Sequence, residues 1–124
     1  MAALVVPLVV LAGARLALLR VRVVGDSMAP VIRSGDHLVV LRVARSRTLR
    51  PGDLVALHDP RLPSREGRLL VKRVLRSGTS GVDVRGDNVD LSTDSRTFGP
   101  VPRDRVVGRV VYRYAPSSRA GRVR

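Results

Sequence analysis

At 124 residues the chain has room for one domain with a modest core, and is too short for two ordinary ones. It has no cysteine, which excludes a disulfide framework and a thiolate metal site, and two histidines alone do not make a transition-metal centre; no metal or cofactor is expected. The formal charge of +13 suits an anionic partner, but the arginines run evenly along the chain, as a compositional bias does and a binding stripe does not. Aromatic residues, at 2%, are too few for a base-stacking platform. Nucleic acid is therefore not the expected partner, and a non-enzymatic basic β-domain binding it stands as an alternative of a different class. All the basic residues are arginine except one, Lys72. Arginine stays protonated at any useful pH and cannot act as a base, whereas a buried lysine can lose its proton.

The first predicted element is an apolar amino-terminal helix over residues 1–20. Ala2–Ala14 is uncharged, and the apolar run resumes at Leu16–Leu19 after Arg15. It reaches the roughly 20 residues that span a bilayer only if Arg15 snorkels, and Pro7 would kink it. A membrane anchor is the preferred reading. A cleaved signal peptide would carry its basic residues ahead of the apolar run, not behind it, although Ala12-Gly13-Ala14 has the small residues of a cleavage site. Arg15, Arg20 and Arg22 follow the segment, so the positive-inside rule leaves the remainder of the chain on the cytoplasmic side of a cell membrane.

From Arg20 onward the pattern is of short strands separated by turns. The expected strands are Arg20–Val24, His37–Ala44, Leu54–His58, Leu69–Leu75, Val82–Arg85 and Val106–Tyr112, rich in valine, whose β-branched side chain favours them. Between them stand Gly25-Asp26, Gly35-Asp36, Pro51-Gly52-Asp53, Gly86-Asp87 and Gly99-Pro100, all turn formers. Asp59–Gly67 reads as an exposed loop. The fold class is thus mainly β, a compact antiparallel sheet or barrel-like core over residues 21–115, followed by a flexible basic tail at 116–124.

Four segments carry candidate chemistry. In Gly25-Asp26-Ser27-Met28-Ala29-Pro30 a hydroxyl stands in a tight exposed turn, although serine is also an ordinary turn former. In Leu69–Leu75, Lys72 interrupts an apolar strand; buried there it would favour the neutral amine, and on an exposed face it would be an ordinary surface charge. Gly86-Asp87-Asn88 runs through Ser92, Asp94, Ser95 and Arg96 into Phe98-Gly99-Pro100-Val101, dense in side chains that bond to backbone and to one another. The fourth segment is the Gly35-Asp36 turn. His37 and His58 are candidate bases only if they approach Ser27.

Taken in order, Ser27–Pro30, Lys72-Arg73-Val74 and the Gly86–Arg96 box with its Phe98–Val101 continuation resemble the motifs of the signal peptidase I family of Ser–Lys proteases, as does an apolar segment ahead of the serine. The resemblance implies Ser27 as nucleophile and Lys72 as general base. It further implies that Ser92 orients Lys72, that Asp94 and Arg96 pair to brace the loop, that the Ser27 backbone N–H contributes to an oxyanion hole, and that Met28 and Pro30 line the substrate pocket. The implied partners are a precursor polypeptide and, through the amino-terminal segment, a membrane. Departures are also plain. Gly25 stands where many relatives carry a hydroxyl, Val89 and Leu91 replace more polar residues, and only twelve residues separate Arg73 from Gly86, leaving out a domain that larger members insert. These features resemble most the short proteases that mature nickel-type superoxide dismutase by removing an amino-terminal extension. A general signal peptidase acting on secretory leaders is the alternative.

Overall fold

In the computed structural model the described residues are 18–42, 49–63 and 69–123. They contain six strands, β1 (Leu18–Arg22), β2 (His37–Arg42), β3 (Leu54–His58), β4 (Leu69–Gly78), β5 (Gly81–Arg85) and β6 (Val106–Ala115), with one short α-helix, α1 (Ser95–Phe98), and three single 3-10 turns. The strands form one sheet in the order β1-β2-β6-β3-β4-β5, and every pairing is antiparallel. β1 and β5 are its two edges and do not pair with each other, so the barrel-like expectation is corrected to an open sheet.

Alternation along the strands sorts the apolar residues into two clusters. Leu54 and Ala56 of β3 join Leu38, Val40, Val71 and Val110 beneath Met28 and Ile32. Val55 and Leu57, pointing the other way, join Val74, Val82, Val84 and Val101. β3 is therefore buried on both faces, which is why Leu54–Leu57 is an unbroken apolar run. Each such Val or Leu is worth about 1.5–3 kcal/mol of transfer free energy, so a chain almost without aromatic residues still assembles a core. The β2–β6 register shifts between His37 and Leu38 and again between Val39 and Val40, and shifts of this kind bend a sheet. Gly108, opposite Arg42 on β2, lies beside a further register shift, that of β3 on β6 between Ala56 and Leu57. A Cβ there would collide with the Leu41 carbonyl, so the strands approach this closely only because the residue is glycine.

The amino-terminal helix lies outside the described residues as far as residue 17. Leu18–Arg20, assigned to it above, belong instead to β1, paired with Val39–Leu41 of β2. No described helix is long and apolar enough to cross a membrane. The carboxy-terminal segment also differs from its expectation as a flexible tail. Gly121 forms a β-bridge with Arg113, the Arg119 guanidinium lies 2.6 Å from Asp36, and Val123 packs on the first core cluster. Asp36 is 1% exposed, and a carboxylate so placed requires cationic partners. Arg119 and Arg113 supply them, and ordering Arg119 orders the segment that bears it.

Candidate active site

The loop from Gly86 to Arg96 gathers the candidate residues from three parts of the chain. Ser27 stands in the turn between β1 and β2, half-buried, and its carbonyl accepts the Asn88 N–H at 2.9 Å. The Asn88 side-chain amide donates to the Asp26 carbonyl at 3.0 Å, and the Asp87 N–H rests 3.4 Å from the Met28 sulfur. Asp87 is itself held by a two-pronged ion pair from Arg73, at 2.9 and 2.8 Å. The serine turn is thereby fastened to the loop at three points. Gly86 allows that approach, because a Cβ there would collide with both the Ser27 carbonyl oxygen and the Ser92 hydroxyl.

Lys72 reaches the same loop from the opposite side. It lies on β4 opposite Val55, only 3% exposed, so the buried alternative for this strand is the one realised. Its Nζ donates to Ser92 Oγ at 3.1 Å, and Ser92 Oγ donates in turn to Asp94 Oδ2 at 2.9 Å. A hydroxyl has one hydrogen. With that hydrogen given to Asp94, Ser92 offers Lys72 only an acceptor. The lysine is thus held through one of its N–H bonds, and in the neutral amine the lone pair is left for another proton.

Asp94, fully buried, caps α1 by accepting the Arg96 backbone N–H at 3.1 Å, and also accepts the Gly86 N–H at 2.9 Å and the Arg96 side chain at 2.9 and 2.8 Å. Burial alone would raise its pKa. The hydrogen bonds from Arg96, Gly86 and Ser92 outweigh that and hold it far below the ordinary carboxylate range. Burial likewise drives Lys72 below its ordinary value of 10.5. Asp94 opposes the shift, and the Arg61 and Arg96 cations reinforce it. Ser95 braces the neighbouring strand, its hydroxyl accepting the Val84 N–H at 2.9 Å.

A cleft of about 460 Å³ opens beside Ser27, bounded by Val21–Val24 on one side, Leu69–Val71 on the other, and Asp59, Arg61 and Leu62 across one end, with Met28 in its wall. Pro30, expected in this wall, is exposed and does not line it. His37 packs at a tilt against Tyr114, with ring centroids 5.5 Å apart, and His58 ends β3 opposite Leu69. Asp59 and Arg61 border the cleft although their segment reads in the sequence as a simple exposed loop. Two bonds between their side chains, at 2.9 and 2.7 Å, form a compact turn, and the Arg61 guanidinium lies 5.8 Å from the Phe98 ring of α1. The Asp-Pro-Arg spacing was the available signal, because aspartate readily bonds to the backbone two residues on. Among the described residues no group of His, Cys, Asp or Glu could hold a metal ion.

The sequence compares with known proteins over most of its length. It is 34% identical to a mitochondrial inner membrane protease subunit 1 of Xenopus tropicalis over 74% of this chain and 66% of that protein, so it spans about two thirds of that relative. It is 31% identical to the mitochondrial ATP-independent inner membrane protease subunit 1a of Arabidopsis thaliana over 81% of this chain and 72% of that one. With a probable signal peptidase I-1 of Synechocystis it shares 26% identity over 79% of this chain and 71% of that protein. The family described as signal peptidase, peptidase S26, matches residues 1–85 and 79–115. On that match, which takes in the serine turn, the lysine strand and the loop that joins them, the chain belongs to the signal peptidase family, peptidase S26.

Proposed function

We propose that the chain is a serine endopeptidase in which Ser27 is the nucleophile and Lys72 its general base, and that it removes an amino-terminal extension from a precursor polypeptide. The observation that carries this reading is the buried Lys72, hydrogen-bonded to Ser92 on the same loop that fastens the Ser27 turn. Family membership supports it independently.

The chemistry follows from the proton inventory. Neutral Lys72 takes the Ser27 hydroxyl proton as Oγ attacks the scissile carbonyl. The developing oxyanion is met by the Ser27 backbone N–H, and one such donor is worth about 2.7–4 kcal/mol. The tetrahedral adduct collapses, the C–N bond breaks, and Lys72 returns its proton to the departing amine. A water then gives a proton to Lys72 and attacks the acyl-enzyme, and Lys72 passes that proton to Ser27 Oγ as the ester C–O bond breaks. Ser92 keeps the amine aimed throughout, and Asp94 keeps Ser92 turned as an acceptor. The substrate lies in the cleft as an added strand between Val21–Val24 and Leu69–Val71. Both borders have backbone to offer: β1 is a sheet edge, and β4 pairs with β5 only from Arg73 onward.

The substrate we propose is a nickel-type superoxide dismutase precursor. Support comes from Gly25 at the position of a hydroxyl, the short Arg73–Gly86 connection, and the arginines behind the apolar amino-terminal segment, which by the positive-inside rule favour a cytoplasmic domain. Incubation with such a precursor, followed by mass measurement of its new amino terminus, tests the proposal. A trimmed product with the native chain and none with Ser27→Ala is expected. A second reading, cleavage of secretory leaders, is favoured by the likeness to a probable signal peptidase I-1. It would be adopted if a secretory leader were cut while the dismutase precursor stayed intact. A topology reporter fused after Val24 adds an independent arm, and an extracytoplasmic domain would turn the balance to that second reading.

A further inference from the structure

A second concavity, separate from the cleft beside Ser27, opens between the Gly52-Asp53 turn, β6 and the returning carboxy-terminal segment. It measures about 570 Å³ and brings three guanidinium groups, Arg73, Arg109 and Arg122, to one wall system against a single carboxylate, Asp53.

Their engagements differ in a way that matters. Arg73 is committed, its Nε and Nη2 to Asp87 and its Nη1 to the Gly52 carbonyl. Asp53 is turned toward its own turn, accepting the Arg50 N–H at 2.9 Å. Arg109 and Arg122 have no carboxylate within ion-pair reach among the described residues. Arg109 is half-buried on β6, and Arg122 follows the Gly121 bridge that fixes the end of the chain. Elsewhere the chain's scarce carboxylates are spent on other arginines: Asp36 on Arg113 and Arg119, Asp94 on Arg96, and Asp59 on Arg61. Three guanidinium groups thus share the hollow with one carboxylate, Asp53, which pairs with neither Arg109 nor Arg122, and a bound anion relieves the excess positive charge. Guanidinium forks match tetrahedral oxyanions by paired N–H···O bonds. The hollow can take a phosphate with a substituent attached, and Val110, Val111 and Val123 give that substituent an apolar border.

We infer that this concavity is a binding site for a phosphate-bearing anion, held between Arg109 and Arg122. The ligand is either a soluble phosphate ester or the headgroup of an anionic phospholipid, and the two are separable by experiment. Binding of inorganic phosphate to the full chain, followed by calorimetry, should be saturable in the native protein. It should be at least about tenfold weaker in Arg109→Gln/Arg122→Gln. Arg20→Gln/Arg33→Gln removes the same charge from exposed positions outside the hollow and should stay within about twofold of native. The exposed single variant Arg122→Gln provides the same test if the double variant does not fold. Flotation with phosphatidylcholine vesicles, with and without phosphatidylglycerol, then identifies the source. A phosphatidylglycerol preference lost only in the Arg109/Arg122 variant assigns the site to lipid. Phosphate binding without that preference assigns it to a soluble ester. Equal weakening in both double variants, or no saturable phosphate binding, would overturn the inference.

Discussion

Asp36 and Asp94 are the two aspartates sealed from solvent among the described residues, and each is gripped by arginine, yet they hold different things in place. Asp36 takes both its cations from far along the chain, Arg113 at 77 and Arg119 at 83 residues' distance, and its carboxylate otherwise accepts the Arg33 N–H. It is a clasp between the serine-bearing loop and the carboxy-terminal segment. Asp94 takes its cation from two residues away, at Arg96, and uses a remaining lone pair to fix the Ser92 hydroxyl, which in turn holds Lys72 from 20 residues away. A buried carboxylate closed off by cations serves the fold. One that passes a hydrogen bond onward also orients the group at the end of its chain, here the amine proposed as the general base.

The largest test of this division is removal of the proposed nucleophile and base. Ser27→Ala and Lys72→Met should each lower peptide cleavage by about a thousandfold or more, while circular dichroism stays close to native in both. Retained cleavage in either variant would sink the dyad. The next largest is Ser92→Ala, which cuts the link from Asp94 to Lys72 and should lower kcat by about a hundredfold, with Ser92→Thr recovering most of it by restoring the hydroxyl. Asp36→Asn is the contrasting variant. It should cost about 2 kcal/mol of unfolding free energy in denaturant titration, somewhat below the usual figure for a broken buried pair because Arg113 and Arg119 retain some exposure to water. At a temperature where it remains folded, its kcat should be within about twofold of native. A collapse of kcat with unchanged stability would erase the distinction between the two aspartates.

The same contrast marks what the amino-acid sequence makes legible. All six strands can be read from alternation and from the Gly-Asp turns, because both signals are local. The loop with Ser92, Asp94 and Arg96 is also local, its partners lying two residues apart, so its density of bonding side chains is visible as text. The Asp36 clasp is not visible, since nothing near Asp36 or Arg119 announces a partner some 80 residues away, and the tail it fixes therefore reads as loose. For the same reason β1 begins earlier than expected: Leu18–Arg20 look like the end of an apolar run until β2 is present to pair with them. Pattern alone left the burial of Lys72 open, because a strand with a charged face and a strand with a buried lysine share one alternation. Packing against both β3 and the Gly86–Arg96 loop decides it.

Burial of Lys72 has a thermodynamic signature that needs no substrate. Its pKa is lowered in the folded chain from the ordinary 10.5, so between the depressed value and 10.5 the unfolded chain carries a proton that the folded chain does not. Stability therefore rises with pH across that window, with a slope of up to about 1.4 kcal/mol per pH unit from this one group. Below the depressed value the lysine is charged in both states and the slope vanishes. Urea unfolding at a series of pH values should show this rise in the native chain and lack it in Lys72→Met. Parallel curves for the two proteins would mean that Lys72 is not desolvated as described.

The smallest effect concerns the edge of the site. If neutral Lys72 is the base, kcat should climb with pH as Lys72 loses its proton and then level off. Arg61, at the end of the cleft, contributes a positive charge that helps keep that pKa low, whereas Asp59 beside it acts in the opposite direction. Arg61→Gln deletes the cation and leaves the Asp59 carboxylate without its partner, so both changes favour protonated Lys72. The acidic limb of the kcat profile should move to higher pH, by a few tenths of a unit at about 0.1 M salt, where a charge across a solvated cleft is screened. Lower salt should widen the shift. Reading the limb from kcat, not kcat/KM, keeps any loss of substrate binding in the cleft out of the comparison. A shift to lower pH would mean that the Asp59–Arg61 pair acts on Lys72 chiefly through packing against Phe98, and not through its charge.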